Sequence, residues 1–333
     1  GDSLRIMEYR LSKGDTVHKR IEKVSYIVGS GQHTNSHIIN INGYLHQAPI
    51  TFYTQKGKWD LAPGFEKGVN SRFDRKIELE CISCHNGYPD LVEGSFNKYT
   101  NVKLGIDCER CHGPGSLHVA DKQSGHIVDT ATQTDYTIVN PKKLSTEQQN
   151  NLCQRCHLQG VAVLNDDKTF YDYLPSDALH KTVNVFMPTY SGEENNMIMA
   201  SHVERMKMSN CYVNSGKMSC ITCHNPHVSV KYTPQEQYVN ACKSCHGTKD
   251  QCTEKLEVRQ LKKDNCIECR MPKNGSIDIP HVAVTDHFIR RRPLVSNQKE
   301  VARFLGMKCY NNDHVEARSM ARAFLEFYER YQQ

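Results

Sequence analysis

Five stretches of the chain share one pattern, two cysteines three positions apart followed at once by a histidine. They are Cys81-Cys84-His85, Cys108-Cys111-His112, Cys153-Cys156-His157, Cys220-Cys223-His224 and Cys242-Cys245-His246. Residue frequencies alone predict about 0.03 such runs, so the pattern is a chemical constraint. Two thiols at that spacing can form thioether bonds to the two vinyl groups of one porphyrin while the next imidazole reaches the iron, which is the attachment chemistry of haem c. Zinc also uses C-x-x-C pairs, but a tetrahedral site needs four N/S ligands and no histidine after every second cysteine. Disulfides are the other competitor, and repeated adjacent pairs staple distant loops poorly. Five covalent haems are the expectation.

A sixth stretch, "NCIECRMPKNG", places Arg270 where the histidine should be. Arginine carries only donors and stays protonated, so it cannot bind iron, and haem-attachment machinery also reads the histidine. Cys266 and Cys269 are therefore read as a disulfide or a haem-free remnant, with a sixth haem as the alternative. Cys211, Cys252 and Cys309 lie outside every pair. Cys211 and Cys252 are candidates for a bridge in an oxidising compartment, which leaves Cys309 as an odd thiol.

Each iron held by its motif histidine has one open axial position, and what fills it decides the class of function. Twelve further histidines are available. His118 follows a Gly-Pro turn in "CHGPGSLH", and His202, His281 and His287 sit beside or between motifs in "SHVERM", "IPHV" and "TDHF". His227, in "CHNPH", lies three residues past His224. That span of about 11 Å at most cannot pass round the edge of its own macrocycle, so His227 is expected to serve a neighbouring iron. These five are the axial candidates. His37 stands evenly between ligand and packing residue, whereas His18, His46, His126 and His314 read as solvated or propionate-bonding. Methionine is the rival ligand, but Met206 and Met208 read as packing residues.

The elements that must position these groups divide the chain into three. Residues 1–75 contain no cysteine and are rich in β-branched and aromatic runs ("KVSYIVGSG", "SHIIN", "APITFYTQ"). Asn42-Gly43 is a hairpin signal, so a small N-terminal β-sheet closing on "WDLAPGF" is expected. Residues 76–292 form the multihaem cytochrome c domain, of short helices and irregular segments. Two helices there deliver motifs: "STEQQNNLCQRCH", with a capping box of Ser145 and Gln148, and "TPQEQYVNACKSCH", with Thr233, Pro234 at the first helical position and Glu236. Residues 293–333 read as a C-terminal helical hairpin, Asn297 to Leu305 and Asp313 to Tyr331. Asp313 and Glu316 form its second capping box, and Met320, Phe324, Tyr328 and Tyr331 its core-facing stripe. The fold class is thus mainly α and irregular.

Only 38% of residues are apolar and Trp59 is the single tryptophan, which is thin for a 333-residue core. Macrocycles would supply the missing apolar bulk, and the protein without them should fail to fold. The formal charge of +5 omits the cofactors: each ferric haem core adds about +1 and its two propionates about −2, so five bring the total to roughly zero; nucleic acid is not an expected partner. Thioether attachment happens outside the cytoplasm, so a periplasmic or extracellular location is expected. No run approaches the 18 apolar residues of a membrane helix. The start "GDSLRIMEYR" lacks a signal pattern, so an export signal is expected to have been removed or to lie outside this sequence.

From "VGSGQHTNSH" and "WDLAPGF" through "CERCHGPGSLHV" and "SNCYVNSGKMSCITCHNPH" to "CIECRMPKNGSIDIPHVAVTDH", the chain resembles the multihaem c-type cytochromes related to cytochrome c554. The likeness is to the Bacteroidetes and Planctomycetes type that often continues into tetratricopeptide repeats. It covers most of the chain, departs from the pattern at Arg270, and implies closely stacked bis-histidine haems with His118, His202, His227, His281 and His287 as distal ligands. The implied function is electron transfer, relaying single electrons between redox partner proteins. Two competitors remain. One is a reductase or oxidase of a small nitrogen or sulfur compound at a five-coordinate haem, as in the wider superfamily of hydroxylamine oxidoreductase and nitrite reductase. The other is self-association into an oligomer or an extracellular filament.

Overall fold

A computed structural model describes residues 3–66, 68, 70–191, 197–247, 252–291 and 303–331. The chain divides into two compact units, Gly1–Asp107 with Asp278–Ala283, and Cys108–Ile277 with Val284–Gln333.

In the first unit, β1 (Arg5–Ser12) and β2 (Asp15–Lys23) form an antiparallel hairpin. Its turn, Lys13-Gly14, has both φ angles positive (52° and 93°), the geometry that suits the right-handed twist of two paired strands. Next come β3 (Tyr26–Val28), β4 (Asn35–Ile41), β5 (Tyr44–Tyr53), β6 (Lys58–Leu61) and β7 (Arg75–Lys76). They form one antiparallel sheet in the order β3-β4-β5-β6, with β7 also on β5. Asn42-Gly43 makes the β4–β5 turn, as its sequence signal implies, at φ 53° and 91°. Alternation gives this sheet two apolar faces. Ile39 and Ala48 pack with Ile6 and Phe73; Ile38 and Leu45 pack with Ile77, Tyr99 and Ile82. Ile82 lies on α1 (Leu79–His85), so the first attachment motif is seated on the sheet by its own apolar residue.

The second unit contains α2 (Glu109–His112), α3 (Ser116–Gln123), α4 (Thr146–His157), β8 (Val161–Leu164), β9 (Val183–Tyr190), α5 (His202–Lys207), α6 (Asn210–Ser215), α7 (Cys220–Cys223), α8 (Gln235–His246), α9 (Leu256–Leu261), α10 (Cys266–Arg270) and β10 (Lys273–Gly275). After β11 (Ala283–Thr285) it ends in β12 (Phe304–Cys309) and α11 (Ala317–Tyr331). The capping box of Ser145 and Gln148 forms as expected at the start of α4. At α8 the helix begins one residue later than the sequence implies. Pro234 occupies the cap at ψ 141°, and Thr233 Oγ1 donates to Ser229 O instead (3.1 Å).

The mainly α expectation holds only in part. Short helices do carry the motifs, but β12, β9 and β8 form a further sheet, with α11 packed against it. The run "VNVFMPTY" of β9 does not announce a strand by alternating burial, because Val183–Met187 are all buried, Asn184 among them. Its Pro188 is tolerated because β8 pairs only with Val183–Phe186, so β9 has one neighbour at that point.

The C-terminal hairpin of helices is also corrected. Its first half lies largely at 292–302, outside the described residues, and Phe304–Cys309 is a strand on β9. The second helix starts at Ala317, after the expected Asp313–Glu316 box. Its buried stripe is Met320, Ala323 and Phe327, joined by Val161, Val163, Phe186 and Met307; Phe324 and Tyr328 are exposed. Recruitment to a sheet rotates the helix away from the all-aromatic stripe.

Candidate functional site

The third, fourth and fifth motifs ride on helices that touch in succession, α4 on α7 and α7 on α8, and α8 packs in turn on α10, which carries Cys266 and Cys269. Cys153 of the third motif and Cys220 of the fourth hydrogen bond, which pushes the Cys153 thiol above its ordinary value. Burial pushes the Cys242 thiol of the fifth motif up to about 12, with Cys266 as a close neighbour. No disulfide links any of the fifteen cysteines, so the expected Cys211–Cys252 bridge is not formed. Cys309 is buried in the core beneath α11. Arg270 is engaged by neighbours, its Nη1 donating to Arg291 O (3.0 Å) and its Nη2 to Cys252 Sγ (3.9 Å).

The imidazoles gather in two groups. His112 of the second motif faces His227, ring centres 6.0 Å apart and planes inclined by 16°. The other group is a row: His157 to His202 at 5.3 Å, His202 to His287 at 4.7 Å, and His287 to His224 at 6.1 Å with planes inclined by 23°. Two nitrogens bound on opposite sides of one metal, each about 2 Å away, put their ring centres roughly 6 Å apart. The pairs His112/His227 and His224/His287 match that separation, and each joins a motif histidine to a non-motif one.

Ring orientation follows from what Nδ1 does. His112 Nδ1 lies 2.8 Å from Val139 O and His287 Nδ1 lies 3.0 Å from Thr285 O. A carbonyl only accepts, so both rings carry their proton on Nδ1 and present a bare Nε2. His118 Nδ1 meets Thr137 Oγ1 at 2.9 Å, and that hydroxyl donates to Asp135. Hydrogen bonds from Thr137 and Lys122 hold the Asp135 carboxyl below the usual carboxylate range. His37, buried in the first unit, sends Nδ1 to Ile50 O (3.2 Å) and stacks on Trp59. His281 differs: its Nε2 points to Asp60 Oδ2 at 3.0 Å. Hydrogen bonds from Lys58, Leu61 N and His281 hold that carboxylate down at about 2. His246 is exposed at the end of α8.

The surroundings suit a large apolar cofactor. Leu104, Ile127 and Tyr136, near the second motif in sequence, are 85%, 86% and 91% exposed. A cavity of about 630 Å³ is lined by Cys108, Gly113, His118, Val119 and Ile138. A second, of about 380 Å³, lies beside His112 and Leu174. These volumes fall in the range of cofactor sites. The donor set, paired thiols with a bare imidazole nitrogen, fits haem c.

Sequence reasoning missed the charged residues buried beside the motifs. Arg110, inside the second motif, lies over Tyr171, and Arg155, inside the third, over Tyr173. Arg205 is paired with Asp286 in the interior. Their signal was weak because arginines and aspartates are read as surface residues unless a partner is visible.

Comparison with known proteins agrees with this chemistry. Residues 55–113 match the family of cytochrome c554 and c-prime, and residues 212–251 match the doubled CXXCH motif. The chain is 26% identical over 215 residues to the multiheme cytochrome MtrA of Shewanella baltica, covering 58% of this chain and 62% of that one. It is 22% identical over 194 residues to the C-type polyheme cytochrome OmcB of Geobacter sulfurreducens, covering 50% and 25% respectively. The chain thus spans less than two thirds of either relative. The crystal structure of the outer cell wall cytochrome OcwA aligns with a TM-score of 0.45 at 14% identity, over 79% of this chain and 66% of that one. No helix among the described residues is long and apolar enough to cross a membrane. With its attachment runs and these matched segments, the chain resembles the multihaem c-type cytochromes, and the cytochrome c554 family among them.

Proposed function

We propose that the protein is a pentahaem electron relay whose irons are held mainly by two histidines each, exported and passing single electrons between redox partner proteins. The observation that carries this reading is the pairing of motif and non-motif imidazoles at about 6 Å, His112 with His227 and His224 with His287. Cys81/Cys84, Cys108/Cys111, Cys153/Cys156, Cys220/Cys223 and Cys242/Cys245 would hold the five groups, with His85, His112, His157, His224 and His246 proximal. Haem iron supplies reversible one-electron chemistry between ferric and ferrous states.

The chain's own residues make that chemistry a relay. Ligation by His227 on the second iron and by His287 on the fourth would deny small molecules a site on those two irons. The Nδ1–H bonds of His112 and His287 fix each tautomer and make Nε2 a stronger donor, which favours the ferric state. The succession α4, α7, α8 supports a path in which neighbouring groups lie close. His202 lies between His157 and His287 and is assigned to the third iron. His118, oriented by Thr137, is a distal ligand in search of a partner, whereas His281, with Nε2 given to Asp60, is set aside. Cys266 and Cys269 are assigned no haem.

The test is intact mass together with electron paramagnetic resonance of the holoprotein. A mass with five haems and an all-low-spin ferric spectrum is expected. A high-spin signal that shifts on adding nitrite or hydroxylamine would replace the relay with a reductase or oxidase, and a mass with six haems would return one to Cys266 and Cys269.

A further inference from the structure

His202 and His287 come from segments 85 positions apart in sequence, yet their rings lie 4.7 Å from one another. Neither short element could hold that arrangement alone. α5 is six residues long, and His287 follows a three-residue strand. Each histidine does, however, have a charged residue locked to it by local geometry. Arg205 is one helical turn beyond His202 and so shares its face; Asp286 directly precedes His287.

These two charges meet in the interior. Arg205 is 1% exposed and Asp286 0%, and they are joined by both arms of the guanidinium, Nε to Oδ1 at 2.9 Å and Nη2 to Oδ2 at 2.7 Å. The carboxylate is then saturated: Phe288 N donates to Oδ1 (2.9 Å), while Asn274 Nδ2 (2.9 Å) and Arg290 Nη2 (3.4 Å) reach Oδ2. A second tie runs alongside, with Ser209 Oγ donating to His287 O (3.1 Å) and accepting from Ile289 N (2.8 Å). Burying two charges is expensive, and an apolar pair of the same volume is often as stable or more so. The fork gives what an apolar pair lacks, a fixed angle and register between two segments.

We propose that Arg205 and Asp286 are positioning residues: one buried ion pair that sets the places of His202 and His287 together, and so keeps two adjacent irons six-coordinate. The inference rests on the bis-histidine reading above. It makes axial ligation at the third and fourth irons a joint property, so that loosening one clamp frees both.

The experiment uses holoprotein carrying Asp286→Asn, Arg205→Lys or, as control, Arg318→Gln, which cuts the exposed pair with Asp166. Intact mass, electron paramagnetic resonance and a reductive titration are read on each. Asp286→Asn should keep all its haems but convert two irons to high spin together and displace the matching part of the titration; conversion of one iron alone would overturn the joint clamp. Arg205→Lys, which keeps the charge and loses the fork, should show a smaller fraction of the same signal; Arg318→Gln should match the parent. If Asp286→Asn does not mature, Arg205→Lys is judged by the same criterion. Fully haem-loaded variants that stay low-spin with unmoved titrations overturn the clamp. Should His202→Ala and His287→Ala themselves leave the spin state of the parent unchanged, the ligand assignment has failed instead.

Discussion

A single imidazole here has two nitrogens with different duties, and the hydrogen bond at Nδ1 decides which is left for iron. His112 and His287 give Nδ1 to carbonyls, so His227→Ala or His287→Ala should each leave one iron five-coordinate and produce a high-spin ferric signal from one haem. His281→Ala should produce none, because Nε2 of His281 is already spent on Asp60. Position in the sequence did not separate His281 from His287: both stand beside motifs, and the partner of each ring nitrogen distinguishes them. Thiols sort in the same way. Burial in the apolar core pushes the Cys309 thiol up, so in the folded protein it should resist alkylation at pH 8, its reactivity rising only as the solution is made more alkaline. The exposed Cys252 should be labelled readily. Mass mapping after brief alkylation checks both, and labelling of Cys309 at the rate of Cys252 would contradict its burial.

Among the elements, the legible ones carry their own punctuation. The box of Ser145 and Gln148 and the Asn42-Gly43 turn were both readable because their chemistry is local. Ser145→Ala should cost about 1 kcal/mol in thermal or denaturant unfolding by exposing the first turn of α4. Gly43→Ala should cost at least as much, about 1 kcal/mol, since φ is +91° and a Cβ would stand 3.1 Å from Tyr99 O. Elements defined by distant partners were illegible. β9 looks like any buried apolar run until β8 and β12 are placed beside it, and Phe304–Cys309 is a strand because β9 offers an edge. The Lys13-Gly14 hairpin is a local feature that the sequence reading passed over.

For the whole molecule, composition was a sound guide: a chain poor in apolar residues leaves large apolar side chains such as Leu104 and Ile127 uncovered by its own fold. Material expressed without the haem-attachment machinery should therefore lack a cooperative thermal transition and bind a hydrophobic dye. A sharp, dye-free melt would show that the polypeptide core suffices. The identity of the motif residues was fully legible, whereas the convergence of His157, His202, His287 and His224 was not, because the spacing between them is bridged by loops without periodicity. The order of that row along the chain has a further consequence. His227 lies downstream of His112, His202 of His157, and His287 of His224, so, on the bis-histidine reading proposed above, each of these irons would receive its second ligand only after the later segment had been made. Until that segment docks, a haem held by its motif alone would be open to peroxide and carbon monoxide, which would make maturation the chemically vulnerable stage.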